Sequence, residues 1–451
     1  MPPHVPASWS RFVAGVLAAA LVIGLGISTV YRAGPYPVRA ANSGLQKVSR
    51  WENRLGFSVD PSGGRIWGSK AHRCDLTVDT AAGRAVLDRT DIYQAHNIRG
   101  WYYIYPPLFA IVMIPFTWMS TFWASLSWYL ISVALVAETV KMCAGIVRPT
   151  TGWRRDSLLL CALPPLLALV PLMSALARGQ TTPVLLWLTT AAVFCHWRDR
   201  DLLGGLSLAG AILLKVFPAA LLAYFLWRRH WRFVLATVAG VLLGVFVIPS
   251  AAYGWRQNLC YLGEWKETVA KPALDTDVDS QDDRLYGQLH DPRLSRNQSL
   301  AAVLTRLTGN ERARLAADAV GLAMAAAILF VGLHRSTTKE VFILSAVIAW
   351  MLLIPPVSWS HYFMLLLLPL TVLTGVAFAD RDAGGRFVAR AALIVFAVLA
   401  LGVASRRSAQ AYGPLCWGTL GLWAALVFVM WRVSWVSSAS NPTARVAAGE
   451  R

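Results

Sequence analysis

The stretch Ser360-His-Tyr-Phe-Met-Leu-Leu-Leu-Leu-Pro-Leu-Thr-Val-Leu-Thr-Gly-Val-Ala-Phe-Ala379 decides the fold class of this chain. It runs for 20 residues without an acidic side chain, and His361 is its one basic side chain. An α-helix needs about 20 predominantly apolar residues to cross the hydrocarbon core of a bilayer. Similar runs recur along the chain and predict about twelve membrane spans, within a range of 10–13. The predicted spans are 12–30, 105–119, 121–144, 157–176, 182–197, 202–224, 233–250, 316–333, 341–355, 360–379, 388–404 and 411–431.

The composition supports the same fold class. Hydrophobic residues make up 56% of the 451 residues and charged residues 15%, whereas soluble domains carry about 25% charged residues. This excludes an ordinary soluble enzyme, a disordered chain and a small disulfide scaffold. The net charge of +18 comes mostly from arginines between apolar runs, where they meet lipid headgroups. We therefore predict an all-α, polytopic membrane protein whose partner is the lipid bilayer and not nucleic acid.

Two long polar segments interrupt the apolar pattern. Residues 32–104 and 253–311 hold 6 and 9 acidic residues, together 15 of the 24 in the chain. Charge is costly inside a bilayer, so polar chemistry belongs on segments like these, at the membrane surface. We expect one membrane-embedded domain over 1–435, with these two segments as its long outer loops. Residues 436–451 form a short polar tail.

The predicted span count also assigns sides. Six predicted spans separate the two long loops, so both loops lie on one side of the membrane. The same count places Arg178 on the inner side and Arg198 and Arg200 on the outer side. Basic residues in the short loops are almost evenly divided, so they do not orient the chain by the positive-inside rule. The apolar start at 12–30, followed by a long loop, favours an extracytoplasmic position for both long loops.

The cysteines leave two alternatives open. Cys74 and Cys260 lie in the two long loops and could pair in an oxidising compartment. The other alternative, a free thiol at each position, is the one we favour. No Cys or His spacing resembles a zinc site, so we expect no metal.

Asp75 has two interpretations. Apolar positions 76, 82, 86 and 87 can share one side of an amphipathic helix on the membrane surface. Asp75 stands at the start of that helix, where a carboxylate commonly caps free backbone N–H groups. The alternative is a carboxylate held at the lipid interface as a general base.

Further polar groups break the apolar runs. Lys215 lies within the run 202–224 and is either a functional cation or a snorkelling side chain beside Pro218. Arg178 and Gln180 lie in the break between two predicted spans and fit either a turn or a phosphate or sugar contact. His361 neighbours two serines and a tryptophan, which is consistent with a polar pocket at the membrane boundary.

Two segments carry alternative structural interpretations. Tyr105 precedes Pro106-Pro107, which favours the start of a helix, and a tyrosine there is typical of an interface anchor. Arg296 and Asn297 close the second long loop, where Asn297 or Ser299 could cap the following helix.

Taken in order, these motifs resemble glycosyltransferase family 87. The resemblance runs from about residue 12 to residue 380. It rests on Asp75-Leu-x-x-Asp79, Tyr105-Pro-Pro-Leu-Phe109, Gly179-Gln180, Leu214-Lys-Val-Phe-Pro218, Asn297-Gln-Ser-Leu300 and Pro356-Val-Ser-Trp-Ser-His361.

The resemblance implies a membrane fold of the GT-C class and transfer of a sugar with inversion. The implied donor is a polyprenyl-phosphate sugar, with mannose as the sugar, and the implied acceptor is a glycolipid or glycan. The implied setting is the outer face of a bacterial cytoplasmic membrane, with no cofactor. The implied roles are Asp75 as the base, Lys215, His361, Arg296, Gln180 and Arg178 at the donor phosphate or sugar, and Asp79, Asn297 and Tyr105 as acceptor or secondary contacts.

Three rival functions are weighed against this one. One is a non-enzymatic membrane assembly subunit, for which Asp75, Lys215 and His361 would all be dispensable. A transporter or flippase would place charges along a path through the bilayer and would show internal repeats. We find no clear repeat, and the acids lie in loops. A lipid-linked glycan ligase or polymerase would rely on Arg and His in a large outer loop. The exact sugar, the acceptor and the oligomeric state stay open.

Overall fold

The fold is helical throughout the part of the chain that the structure describes. In this computed structural model the described residues are 19–30, 74–97, 101–151, 158–271, 294–310, 312–333, 337–379, 382–406 and 408–439. Within these ranges the extended structure consists of two isolated β-bridges, His96–Tyr102 and Asn297–Trp359. The prediction of an all-α, polytopic membrane protein is confirmed. Residues 440–451, most of the predicted polar tail, lie outside the described residues.

Gly254 divides the helices along the chain into two groups. The first group is α1 (Ala19–Val30), α2 (Leu76–Asp88), α3 (Pro107–Val112), α4 (Ile114–Thr117), α5 (Thr121–Thr151), α6 (Leu158–Leu167), α7 (Leu169–Leu176), α8 (Thr182–Trp197), α9 (Asp201–Leu214), α10 (Ala219–Arg228) and α11 (Trp231–Tyr253). The second group is α12 (Trp255–Trp265), α13 (Leu300–Thr308), α14 (Ala313–Val331), α15 (Thr337–Leu353), α16 (Ser360–Phe378), α17 (Ala383–Ala397) and α18 (Pro414–Ala439).

Several of these helices are long and apolar enough to cross a membrane. By length and composition, six candidate spans lie among the described residues, and the pair α6 and α7, bent by 69°, makes a seventh if it counts as one span. The six are α5, α11, α14, α16, α17 with its continuation to Val403, and α18 from Ala409. The predicted number of about twelve spans is not confirmed.

The stretch quoted first, now α16, is the central helix of the bundle. It is 94% buried inside the protein, whereas the other candidate spans are 61% buried or less. Leu366, Leu368 and Leu370 are fully buried against neighbouring helices. Its uniformly apolar surface is therefore explained by protein neighbours on all sides. The first turns, Ser360–Leu366, form a 3₁₀ helix that carries His361 at one end of the bundle.

Two predicted spans are broken in the structure. The run 105–119 forms α3 and α4, of 6 and 4 residues, which together are too short to cross a bilayer at about 1.5 Å per residue. The run 202–224 divides into α9 and α10 because Lys215 adopts an extended conformation (φ −149°, ψ 136°). Pro218 then precedes α10, where the missing N–H of proline is tolerated.

These breaks correct the predicted side of three arginines. The carbonyl oxygen of Arg178 accepts a hydrogen bond of 2.7 Å from the Asp75 amide, so Arg178 lies at the same end of the bundle as the first long segment. Arg198 and Arg200 lie at the other end, beyond the far end of α8. The assignment of sides was wrong because the prediction included 105–119 as a full crossing. It missed the extra turn at Lys215, and the two errors compensate, so the number of crossings between the long segments stays even.

The described parts of the two long segments contact each other. The Tyr261 hydroxyl donates to the Thr90 carbonyl at 3.2 Å, and the Trp265 indole donates to the Ile104 carbonyl at 3.1 Å. Both segments therefore lie at one end of the bundle, which we call the site end. Cys74 is buried, Cys260 is exposed and no disulfide joins them, so the preferred alternative of a thiol at each position is confirmed.

Candidate active site

Asp75 stands immediately before α2, as the sequence predicts. Its side chain makes no capping bond to the helix, although it occupies the N-cap position. The Gln180 amide nitrogen donates instead to Asp75 Oδ2. The structure therefore does not support the interpretation of Asp75 as a simple helix cap. Its carboxylate is half-buried and is held by a residue 105 positions away.

The helix after Asp75 is amphipathic, but its buried face differs from the predicted one. Leu76 and Ala82 are buried as expected, whereas Leu87 is 42% exposed. Val78 and Asp79 are buried in addition, because α2 packs against α3 and α4. This packing holds the first turn of α2 in place beside the bundle.

Residues 178–180, which we call the strap, join Asp75 to the transmembrane bundle. Gly179 has φ +61°, a left-handed conformation that glycine adopts readily. A Cβ on Gly179 would lie 2.6 Å from Cys74 Sγ and 3.1 Å from Leu76 Cβ. The strap therefore packs directly on the residues that flank Asp75, and only glycine fits there without a shift.

Tyr105 and Lys215 form the other side of the Asp75 site. The Tyr105 hydroxyl lies 2.9 Å from Thr181 Oγ1, and either oxygen can be the donor. Burial raises the pKa of the Tyr105 hydroxyl to about 12, so this group stays neutral. Lys215 Nζ lies 4.4 Å from the centre of the Tyr105 ring and 5.4 Å from that of Tyr362. Lys215 is thus held between two aromatic rings at the site end and is not a lipid-facing snorkelling side chain.

Asp79 lies one helical turn after Asp75 and is 3% exposed. Burial raises the pKa of the Asp79 carboxyl well above its usual range, and the nearby Asp75 charge raises it further. Lys215 acts in the opposite direction, as a nearby cation does. The two carboxyls differ in environment, since Asp75 has a donor from Gln180 and partial exposure whereas Asp79 is enclosed.

A cavity of about 260 Å³ lies on the other side of the strap. Arg178, Arg296 and His361 line it together with Ser360. Leu25 of α1 and Met173 of α7 form part of an apolar wall. Three cationic or proton-donating side chains beside apolar helices suit an anionic group attached to a lipid chain.

Arg296 is brought beside His361 by backbone pairing. The carbonyl oxygen of Arg296 accepts hydrogen bonds of 3.1 Å from both the amide and the hydroxyl of Ser360. Asn297 Oδ1 accepts from the amides of Ser299 and Ser358, and Asn297 Nδ2 donates to the Pro356 carbonyl. Asn297 therefore positions the loop that carries His361.

Ser299 caps α13, because its hydroxyl oxygen accepts a hydrogen bond of 3.2 Å from the Ala302 amide. This is one of the two capping assignments left open by the sequence. Asn297 bonds to loop backbone and does not cap the helix.

Some residues at the site carry no clear sequence signal. Tyr362 follows His361 directly and completes the aromatic pair around Lys215. The Trp128 indole donates to the Gln180 carbonyl at 3.3 Å and so supports the strap from α5. Ser28 and Gln410 line the cavity from opposite ends of the chain. Only Tyr362 could have been found from the sequence, through its neighbour, because the others are brought in by tertiary packing.

The sequence profile of glycosyltransferase family 87 matches residues 103–358, more than half of the chain. The chain belongs to glycosyltransferase family 87. This family 87 member is therefore an enzyme, a membrane glycosyltransferase, and the predicted family and reaction class are confirmed.

Relatives and one solved structure extend the comparison. The chain is 29% identical over 409 residues to the polyprenol-phosphate-mannose-dependent alpha-(1-2)-phosphatidylinositol mannoside mannosyltransferase of Mycolicibacterium smegmatis, covering 84% of this chain and 88% of that one. It is 28% identical over 321 residues to the protein of the same description from Mycobacterium tuberculosis, covering 67% and 70%. The crystal structure of ArnT from Cupriavidus metallidurans bound to undecaprenyl phosphate aligns over 99% of this chain and 82% of that one, with 13% identity and a TM-score of 0.38.

Proposed function

We propose that this family 87 enzyme transfers a mannosyl group from a polyprenyl-phosphate donor to a hydroxyl of a glycolipid or glycan acceptor, with inversion. The donor and the sugar follow the descriptions of its two mycobacterial relatives. One observation supports the proposal most directly. The strap contacts Asp75 through Gln180 and lines the cavity through Arg178. A carboxylate base beside an anion pocket is the minimum that this reaction requires.

In the proposed step, Asp75 accepts the proton of the acceptor hydroxyl as its oxygen attacks the anomeric carbon. The new glycosidic C–O bond forms while the bond from that carbon to the donor phosphate oxygen breaks. The electron pair leaves with the polyprenyl phosphate, which is a stable anion, so the leaving group needs no general acid. One base is sufficient for such a single displacement, whereas glycosidases use a pair of carboxyl groups.

The leaving phosphate belongs in the cationic cavity. Arg178 and Arg296 supply fixed positive charge, and His361 supplies a ring N–H at its inner edge. Donors aimed at developing negative charge stabilise the transition state more than the ground state. Lys215 interacts electrostatically with both Asp79 and His361, so we assign it to the region between the base and the phosphate.

The remaining predicted residues receive supporting roles. Gln180 orients Asp75, so its predicted contact with the donor is replaced by a contact with the base. Tyr105 and Asp79 shape the acceptor side of the site, and Asn297 holds the His361 loop. The proposed reaction uses the polyprenyl-phosphate sugar as substrate and requires neither a cofactor nor a metal. We place it at the outer face of a bacterial cytoplasmic membrane.

The test is transfer by the purified full-length protein in detergent. Labelled polyprenyl-phosphate-mannose and a membrane glycolipid extract are supplied to wild type, Asp75→Asn and Asp88→Asn. Asp88 is the matched control because it lies on the same helix and pairs only with the exposed Arg84 among the described residues. Loss of a general base costs about 10²–10⁴ in rate, so Asp75→Asn is expected to lose transfer by that factor while Asp88→Asn retains it.

The outcomes separate the parts of the proposal. Equal transfer by Asp75→Asn and wild type would remove Asp75 as the base and leave the donor class intact. If the protein transfers from another polyprenyl-phosphate sugar but not from polyprenyl-phosphate-mannose, that other sugar replaces mannose in the proposal. If the protein is folded, as its melting temperature shows, but transfers sugar from none of these donors, the proposed donor class is wrong.

A further inference from the structure

The end of the bundle opposite the site contains a group of three potential metal ligands. His196 lies in the last turn of α8, Asp201 is the first residue of α9, and His230 precedes α11. One ligand atom from each residue lies within 4.8 Å of the other two. His196 Nδ1 is 2.7 Å from Asp201 Oδ1, and the two imidazole rings meet edge to face with centroids 4.5 Å apart.

This group is remote from the catalytic site. Asp201 and Lys215 lie at opposite ends of α9, a helix of 14 residues that is about 20 Å long at 1.5 Å per residue. His196 is similarly separated from Gln180 by the length of α8. No step of the proposed transfer uses any of the three side chains.

We propose that His196, Asp201 and His230 bind one divalent transition-metal ion of the zinc class. Two imidazoles and one carboxylate form the protein ligand set of many zinc sites, with the fourth position left for water. Ligand bonds of about 2.0–2.2 Å require ligand atoms about 3.3 Å apart in a tetrahedral site. His196 Nδ1 and Asp201 Oδ1 lie 2.7 Å apart and the other separations are at most 4.8 Å, so small side-chain movements would bring the three atoms into position.

The surroundings favour a fixed and partly dry site. The His196 ring packs against Phe225 and Phe233, with centroids 5.0 Å and 6.0 Å away. The His196 and Asp201 side chains are 10% and 23% exposed, so an ion can enter from one side. An apolar shell of this kind limits water access and strengthens the electrostatic attraction of the ion.

Asp201 supplies the negative charge of the proposed ligand set. Arg198 and Arg200 lie in the same turn as Asp201, and their positive charge opposes a cation. The Asp201 carboxylate is the one anionic ligand of the three, so neutralising it leaves two imidazoles among arginines. We therefore expect Asp201→Asn to weaken binding as strongly as the loss of either histidine.

The consequence of binding would be a cross-link between two turns. His196 and Asp201 belong to the turn between α8 and α9, and His230 belongs to the turn between α10 and α11. At their other ends α8 begins just after Gln180 and α9 ends at Lys215. A bound ion would thus fix the spacing of the helices that carry these site residues.

The test uses full-length protein purified without a polyhistidine tag and stripped of metal with a chelator. Zinc is titrated against a fluorescent competitor, and cobalt replaces zinc as a spectroscopic probe. We expect one equivalent bound, the visible ligand-field absorption of cobalt held by nitrogen and oxygen ligands, and a higher melting temperature with zinc. The ligand variants His196→Gln, Asp201→Asn and His230→Gln should each weaken binding by about 100-fold or more.

His96→Gln is the matched control, since His96 lies at the site end and outside the group. It should bind as wild type does. Absence of the cobalt absorption in wild type would overturn the proposal even if a variant fails to fold. The proposal would also be overturned if wild type and Asp201→Asn bound zinc with equal affinity and had equal melting temperatures without metal. The group would then serve only to form the His196–Asp201 hydrogen bond.

Discussion

At the scale of single residues, Asp75 and Asp79 show how neighbouring carboxyls acquire different chemistry. They lie one turn apart on α2, so their Cα–Cβ bonds point to the same side of the helix. Asp75 receives a hydrogen bond from Gln180, which favours its charged form. Asp79 is enclosed and its pKa is raised by burial. The half-buried carboxylate that accepts a hydrogen bond suits a base, whereas burial favours the neutral form of the enclosed one.

Asp79 gives the enzyme a specific pH dependence of stability. Its folded-state pKa is raised above the unfolded value of about 3.9. Its contribution to stability is therefore complete below about pH 4 and is lost as the pH rises towards the folded-state pKa. Asp79→Asn cannot ionise, so the melting temperature of the variant should rise relative to wild type as the pH rises above about 4. Melting in detergent measures this.

The control for this prediction is Asp88→Asn, because Asp88 is partly exposed on the same helix. The difference in melting temperature between Asp79→Asn and Asp88→Asn should widen as the pH rises. A difference that does not change with pH would show that Asp79 is not enclosed in the folded protein.

At the scale of elements, the strap between α7 and α8 determines where the proposed base, Asp75, lies. The Arg178 carbonyl accepts a hydrogen bond from the Asp75 amide, and the Gln180 side chain donates one to the Asp75 carboxylate. Gly179, between them, packs closely on Cys74. The Trp128 indole fixes the strap from α5. The break between these two apolar helices thus positions a polar side chain, as a loop does in the active site of a soluble enzyme.

Gly179→Ala should damage the site more than its backbone strain alone explains. An L-residue in the left-handed region costs about 1–2 kcal/mol, and the new Cβ would also collide with Cys74 Sγ at 2.6 Å. Gly309→Ala is the matched control, because Gly309 has φ +66° but nothing within 4 Å of an added Cβ. We expect Gly179→Ala to lower the rate of transfer by at least about 10-fold, equivalent to about 1.4 kcal/mol, with Gly309→Ala close to wild type. Equal rates for the two variants would mean that the strap does not position Asp75.

At the scale of the whole molecule, the cavity is assembled from distant parts of the chain. It combines α1, the end of α7, the Arg296 segment, the start of α16 and the segment around Gln410. The isolated bridge between Asn297 and Trp359 joins two of these parts. Membrane helices provide the walls, and the charged side chains that line the cavity lie at the site end.

The cavity predicts how the arginines affect kinetics. Arg178→Gln and Arg296→Gln each remove a charged partner of the proposed phosphate, worth about 1.5–3 kcal/mol. Each should lower kcat/KM for the polyprenyl-phosphate donor by about 10–100-fold, and the KM of the glycolipid acceptor should not change. Arg84→Gln on the exposed side of α2 is the control, since that side chain is 60% exposed. A rise in the acceptor KM alone would move these arginines to the acceptor side.

The sequence by itself determined the fold class, the reaction class and most of the residues at the site. Apolar length is a local property, so runs such as 360–379 predict helices without any knowledge of their neighbours. The motifs around Asp75, Lys215 and His361 are likewise local in sequence. They carry the family resemblance that the comparisons confirmed.

Only the tertiary structure decided how these residues are joined. Gln180 contacts Asp75 across 105 positions, and no local pattern encodes such a pairing. The break at Lys215 and the short helices α3 and α4 also depend on packing, because an apolar run has the same composition whether it crosses a bilayer or turns back. The three ligands of the proposed metal site are separated by 4 to 33 residues and meet because α8, α9 and α10 run antiparallel. Contacts between helices are set by which faces pack together, and that is a property of the whole bundle.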